Sequence, residues 1–122
     1  MKNPKRPDRA LLEDIVIAAK KIQRSLRGVT LEEFLTNDDK QAATCYSLGI
    51  VGEASGNFSA ELRERNPHIK WAQIKSLRNI IIHAYHGVNM ERIWVNSTID
   101  VVQLLADLAD ECRRAGIDPT TY

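Results

Sequence analysis

The 122-residue sequence lacks the features of a membrane protein or of a strongly charged protein. It contains 17 basic and 16 acidic residues, and the formal net charge of +1 excludes a polycation. No apolar run approaches the length of about 20 residues that a membrane-spanning helix needs. The basic N-terminus does not resemble a signal sequence, because Glu13 and Asp14 interrupt its apolar stretch. We therefore expect a cytoplasmic protein that does not associate with membranes.

Cysteine is also scarce. Cys45 and Cys112 lie far apart and belong to no Cys-x-x-Cys motif, which suits reduced thiols on helix faces better than a disulfide framework or a zinc site. The composition, with 43% apolar and 27% charged residues, is that of an ordinary globular chain of one domain. We expect a single helical domain over residues 1–122, with a flexible basic extension at 1–8 and a short tail at 117–122.

Helical periodicity dominates the sequence. Apolar residues at three- and four-residue steps predict a first helix over about 9–27, with Asp8 as its N-cap and Gly28 as its stop. Thr30, followed three residues later by Glu33, has the pattern of a capping box. A long helix followed by a short helical turn is therefore expected in this part of the chain.

A second long helix is expected to start at Asn37 or Asp38 and to weaken near Gly56. This helix carries a face of small residues that would let another helix come close, namely Gly49, Gly52 and Ala54.

The rest of the chain is also expected to be helical. A loop or short helix covers 59–66, and a third main helix covers about 69–86. The last stretch begins near Asn89, kinks around 96–98 and ends at Gly116. Because no segment is predicted to be a strand, the fold class is all-α, an up-and-down bundle of four main helices plus short helical turns.

One face of the third main helix has an unusual polar composition. On a helical wheel, its core arc consists of Ile74, Leu77, Ile80, Ile81 and Ala84. The opposite side carries Arg78, Asn79, His83, Tyr85 and His86. Ile82 lies in the middle of this polar side, which suggests that the face is covered by a second copy of the chain.

Each polar residue on this face also has an ordinary explanation. A single Arg on a helix is usually a solvated charge, and a single His is usually hydrogen-bonded within the fold. His83 and His86 are spaced for a shared metal ion, but their helix offers no nearby carboxylate or thiolate. We expect no metal ion and no other cofactor, and the combination of Arg, Asn, His and Tyr around Ile82 still favours a functional site.

Residues 78–85 resemble the Arg-x4-His-x-Tyr motif of HEPN-domain toxins of the HepT type. Other parts of the chain resemble this family in the same order: the short turn at 30–35, the Gly-Glu-Ala step at 52–54, the Pro-x-Ile-x-Trp entry at 67–71, and Trp94. The chain departs from the family in its basic extension before Asp8 and at Lys70, where the family often has Pro. Neither departure lies within the Arg-x4-His-x-Tyr motif.

The resemblance implies a homodimeric HEPN bundle that acts as a metal-independent endoribonuclease on RNA rather than DNA. Arg78 and His83 would be the catalytic residues, and Asn79 and His86 would support them. Glu53 would hold the guanidinium of Arg78 if it lies buried beside it. Alternatively, Glu53 pairs with any nearby Lys or Arg at the surface.

The resemblance also implies a biological role. The protein would be the toxin of a type VII-like toxin–antitoxin system, paired with a nucleotidyltransferase antitoxin that transfers AMP to Tyr85. The alternative is a non-catalytic helical bundle whose basic face docks a nucleotidyltransferase or a nucleotide. RNA cleavage that is lost on substitution of His83 distinguishes the two.

Overall fold

The computed structural model of the protein describes residues 6–80 and 89–122. Within these two ranges the regular structure is helical and contains no β-strand, which confirms the predicted all-α class. The α-helices described there are α1 (Asp8–Leu26), α2 (Leu31–Leu35), α3 (Asp38–Ser55), α4 (Ala60–Arg65), α5 (Trp71–Lys75), α6 (Met90–Val95), α7 (Val101–Asp107) and α8 (Ala109–Ala115). No helix in this part of the chain is long and apolar enough to cross a membrane.

The core is built mainly between α1 and α3 and is closed by the C-terminal helices. Its largest fully buried side chains include Ile15, Phe34, Leu48, Ile93 and Leu108, each at most 1% exposed. These side chains come from α1, α2, α3, α6 and the junction of α7 with α8. Burial of such side chains is the main stabilising contribution to the fold, about 1.5–3 kcal/mol for each.

The predicted helix boundaries near the N-terminus are correct with one exception. The Thr30 hydroxyl accepts a hydrogen bond from the Glu33 backbone N–H over 3.2 Å, which is the N-cap half of a capping box. Asp8 is not an N-cap, because it is the first residue of α1 and follows Pro7. Its carboxylate instead accepts hydrogen bonds from the backbone N–H and the hydroxyl of Ser59, over 2.9 and 2.6 Å. Asp8 thereby connects the start of α1 to the start of α4.

Two glycines near helix ends adopt the left-handed conformation. Gly28 has φ +74° after α1, and Gly116 has φ +75° after α8. A side chain would strain the backbone at both positions. Gly116 is the C-cap of α8, whereas α1 ends at Leu26 with the extended Arg27 as its C-cap, and Gly28 lies in the turn that follows.

The third main helix differs from the prediction at its start. It begins at Trp71, not near Ile69, because a turn precedes it: the Ile69 N–H donates to the carbonyl of Asn66 over 3.2 Å. The α-helix is also interrupted by a 3-10 turn at Ser76–Arg78, after which residues 79 and 80 are helical. The predicted end of this helix lies outside the described residues.

The core arc of this helix agrees with the prediction where it is described. Leu77 is buried, and Ile74 and Ile80 are partly buried against the core. Ile81 and Ala84 lie outside the described residues.

The last helical stretch is interrupted at the position of the predicted kink. Asn89 caps α6 through hydrogen bonds from the backbones of Glu91 and Arg92. The segment Asn96–Asp100 is π-helical, so the α-helical hydrogen-bond pattern is broken between α6 and α7.

The two cysteines are free thiols, Cys45 on α3 and Cys112 on α8, and both are buried. Burial raises the pKa of each thiol, and the neighbouring carboxylate of Glu111 raises that of Cys112 further. Both thiols are therefore protonated and unreactive at neutral pH, in agreement with the sequence-based prediction.

A buried carboxylate connects α8 to the segment between α4 and α5. Glu111 accepts two hydrogen bonds from the Arg65 guanidinium, over 2.8 and 3.2 Å, and one from the Asn66 amide over 2.9 Å. The carbonyl of Asn66 accepts a hydrogen bond from the Trp71 indole over 3.1 Å. The indole in turn packs edge-on against Phe58, with ring centroids 5.7 Å apart. The start of α5 is thereby held in place by α8.

The hydrogen bonds from Arg65 hold the pKa of Glu111 below its usual range, although burial acts in the opposite direction. The folded pKa is below the unfolded value of about 4.3, so the ionised carboxylate stabilises the fold above that pH. This contribution is lost as the pH falls through the folded pKa. We expect Glu111→Gln to lower the free energy of unfolding at neutral pH, and the difference from wild type to shrink as the pH is lowered below about 4.

Urea unfolding of both proteins at neutral and acidic pH measures this difference. Glu32→Gln, at an exposed position of α2, is the matched control and should unfold like wild type. If wild type and Glu111→Gln differ in free energy of unfolding by the same amount at both pH values, the assigned role of the carboxylate is contradicted.

Candidate functional site

Arg78 lies at the end of the 3-10 turn, where this turn packs against α3. The two backbones meet at Gly52: a Cβ atom added there would lie 2.3 Å from the backbone nitrogen of Arg78 and 2.8 Å from the carbonyl carbon of Leu77. Side chains do not tolerate such distances, so only glycine permits the contact. The predicted close approach to the small-residue face of α3 is thus confirmed at Gly52.

Glu53 contacts Arg78 from the next position of α3. Its Oε2 lies 3.5 Å from Nε of the guanidinium, and the two side chains are 59% and 50% exposed. Glu53 is therefore a surface partner of Arg78 and is not buried. Such a pair adds little stability, because water screens the two charges and ordering two exposed side chains costs entropy.

A small polar cleft surrounds this ion pair. Its volume is about 100 Å³, and it is lined by Gly52, Glu53, Gly56, Asn57, Lys75 and Arg78. The Asn57 amide donates to the backbone carbonyl of Glu53 over 2.8 Å and to its Oε1 over 3.4 Å. The stem of Lys75 passes over Gly56, where an added Cβ would lie 3.0–3.4 Å from three of its carbons. Two cationic side chains and one carboxylate thus share the cleft.

Asn57 and Lys75 were not among the residues predicted from the sequence. A local signal exists for both, because Asn57 follows Glu53 by four residues and Lys75 precedes Arg78 by three. These are the spacings at which side chains on a helix become neighbours. The spacing does not predict that α3 approaches the 3-10 turn. This approach brings the two pairs together.

The other predicted site residues divide into two groups. Asn79 is described and exposed, directly after the 3-10 turn. His83, Tyr85 and His86 lie outside the described residues, as does Ile82. In the described part of the chain, no group of three or more His, Cys, Asp or Glu side chains could hold a metal ion.

A family model described as Ribonuclease HepT-like matches residues 15–114. The chain belongs to the HepT-like ribonuclease family. The matched range contains α3, the cleft and all of the predicted site residues. Membership therefore extends over the site as well as over the helical core of this HepT-like protein.

Curated relatives agree with this assignment. The chain is 34% identical over 100 residues to a protein of Thermococcus cleftensis named "Probable ribonuclease HepT", covering 82% of this chain and 91% of the relative. It is 31% identical over 115 residues to a "Putative RNase" of Methanocaldococcus jannaschii, covering 88% and 95% of the two chains. A "Putative RNase" of Caldanaerobacter subterraneus is 32% identical over 104 residues, covering 85% and 89%. No solved structure shows a significant match to the chain. The relatives support a role as a ribonuclease.

The contact at Gly52 predicts that a side chain at this position destabilises the HepT-like fold. Gly52→Ala places a methyl group against rigid backbone, so α3 and the 3-10 turn must separate. We expect the free energy of unfolding to fall by about 2 kcal/mol, in the range of overpacked cores, as measured by urea unfolding.

Gly56→Ala is the matched control. Its added methyl group would meet only the flexible side chain of Lys75, and Gly56 has an ordinary helical φ of −73°. We expect its free energy of unfolding to stay within about 1 kcal/mol of wild type. Equal destabilisation by the two substitutions would contradict the assigned contact.

Proposed function

We propose that this HepT-like protein is a metal-independent endoribonuclease whose catalytic residues are Arg78 and His83. The observation that carries the proposal is the position of Arg78, whose half-exposed side chain lines a polar cleft with its guanidinium 3.5 Å from the carboxylate of Glu53. His83 follows Arg78 by five residues. The relatives' names support the same class of reaction.

The residue types suit RNA cleavage without a metal ion. The reaction needs a base that deprotonates the 2′-hydroxyl and an acid that protonates the leaving 5′-oxygen. Imidazole serves in either role, because its unperturbed pKa of about 6.5 lies near neutral pH. Negative charge develops on the non-bridging oxygens in the transition state. The guanidinium of Arg78 binds such oxygens bidentately and remains charged. Asn79 would orient His83 or the phosphate, and His86 is a second supporting imidazole.

The proposal includes a homodimer with Arg78 and His83 near the two-fold axis. One chain supplies one Arg and one His of the motif, whereas a dimer supplies two of each across one cleft. Two imidazoles are enough for a base and an acid. The motivation from the sequence is Ile82, an apolar residue among polar ones, which a second copy would cover.

The biological role that we propose is that of a toxin in a type VII-like system with a nucleotidyltransferase antitoxin. The antitoxin would transfer AMP from ATP to the hydroxyl of Tyr85, with release of pyrophosphate. The nucleotide would fill the cleft, and its phosphate would present anionic oxygens to Arg78. The toxin would then be blocked by a group that resembles its own substrate.

Arg78→Ala and His83→Ala are each expected to abolish RNA cleavage, measured on an end-labelled oligonucleotide. Wild-type cleavage should persist in EDTA and leave 2′,3′-cyclic phosphate ends, because the proposed nucleophile belongs to the substrate. Neither residue is predicted to lie in the core arc, so the free energy of unfolding should change by about 0.5 kcal/mol or less.

Arg63→Ala, at an exposed position of α4, is the matched control and should cleave like wild type. Light scattering of every variant should give twice the monomer mass of 13.8 kDa, which separates loss of catalysis from loss of the dimer. Activity that disappears on chelation and returns with a divalent ion would refute the metal-independent mechanism.

Tyr85→Phe is expected to escape neutralisation by the antitoxin, because it lacks the hydroxyl that accepts AMP. Wild-type protein incubated with the nucleotidyltransferase and ATP should gain one or more AMP masses on the peptide that contains Tyr85, measured by mass spectrometry. Tyr46→Phe is the control, because Tyr46 is a 61% exposed tyrosine on α3. If the antitoxin inhibits RNA cleavage by Tyr85→Phe as fully as that by wild type, binding alone neutralises the toxin and AMP transfer is not required.

A further inference from the structure

We propose that Lys75 binds a backbone phosphate of single-stranded RNA next to the phosphate held by Arg78. The inference deepens the proposed ribonuclease function and rests on it. It assigns to the cleft between α3 and the 3-10 turn a phosphate subsite outside the Arg-x4-His-x-Tyr motif.

The position of Lys75 is the first support. It ends α5, three residues before Arg78, so the two cations lie on neighbouring positions of one helical segment. Both line the same cleft of about 100 Å³. The lysine stem is packed over Gly56, with distances of 3.0–3.4 Å from an added Cβ to its Cγ, Cδ and Cε. The ammonium group is therefore carried along the wall of the cleft.

The charge balance of the cleft is the second support. Lys75 and Arg78 contribute two positive charges, and Glu53 contributes one negative charge, so the cleft keeps a net positive charge. Among the described residues, Arg78 is the ion-pair partner of Glu53, and Lys75 has no ion pair. The Asn57 amide also donates to Oε1 of Glu53. An unpaired cation in a cleft of net positive charge attracts anions.

The chemistry of the two cations favours different phosphates. The guanidinium of Arg78 has a planar fork of donors that can bind one phosphodiester bidentately. Lys75 is a mobile point charge with three donors and suits a neighbouring phosphate whose position varies with the RNA sequence. Such backbone contacts position a strand without reading its bases. Lys75 is thus a substrate-binding residue and makes no contact with the reacting atoms.

The test measures binding and cleavage separately on the full-length protein. Binding uses a single-stranded RNA oligonucleotide with 2′-O-methyl groups, which cannot be cleaved, and cleavage uses the unmodified strand. Lys75→Gln should weaken binding about three- to tenfold at low salt, the effect of one exposed charged contact. It should raise KM by the same factor and leave kcat unchanged.

Salt dependence provides a readout that a merely structural role would not change. Loss of one phosphate contact on a single strand should reduce the slope of log affinity against log salt concentration by about 0.7. Lys75→Arg should restore the slope because it restores the charge. Lys21→Gln, at an exposed position of α1 outside the cleft, should leave both the slope and KM unchanged.

The outcomes separate this inference from the proposed function. If wild type cleaves RNA and Lys75→Gln behaves like Lys21→Gln, the subsite is refuted and the ribonuclease proposal stands. If wild type binds the modified strand but cleaves no RNA, and Lys75→Gln still loses affinity and slope, the subsite stands and the catalytic proposal fails. A fall in kcat without a change in KM would also refute the assignment, because it would place Lys75 in the chemical step.

Discussion

The close contact between α3 and the 3-10 turn at Gly52 determines where the polar cleft forms. Because the Arg78 backbone nitrogen lies within 2.3 Å of where a Cβ would be, α3 and the turn pack backbone against backbone. Glu53, one residue further along α3, then comes within 3.5 Å of the Arg78 guanidinium. A side chain at position 52 would push the two elements apart and would remove the wall of the cleft.

The opposite side of the same segment is held by polar contacts that reach across the bundle. Glu111 binds Arg65 and Asn66, and the carbonyl of Asn66 binds the indole of Trp71, the first residue of α5. The segment that carries Lys75 and Arg78 is therefore restrained at its start by α8 and at its end by α3. Two independent restraints on so short a segment favour a preorganised site over one that forms only when a substrate binds.

The cleft has a net positive charge that attracts anions, although one of its lining residues, Glu53, is a carboxylate. Glu53 lowers the positive charge available to a phosphate, and its carboxylate lies 3.5 Å from Nε of Arg78. Because the pair is about half exposed, its contribution to folding is small. The Asn57 amide donates to the same carboxylate over 3.4 Å.

Much of the fold follows from the sequence alone, because helix periodicity and capping depend on residues within one or two turns of each other. The N-cap at Thr30, the glycines after α1 and α8 and the interrupted helix at 96–100 are all local patterns of this kind. The Arg78 motif and its resemblance to HepT-type proteins are likewise visible without coordinates. The prediction of Asp8 as an N-cap is wrong, because its hydrogen-bond partner, Ser59, lies far along the chain.

Only the tertiary structure decided the geometry of the site. The start of α5 at Trp71 depends on a turn supported by the buried Glu111, and the pairing of Glu53 with Arg78 depends on helix packing at Gly52. Such contacts join residues that are distant in sequence, and no periodicity specifies them. The sequence by itself determined which elements are helical and which residue types carry chemistry. The packing decided that Lys75, Asn57 and Glu53 share a cleft with Arg78.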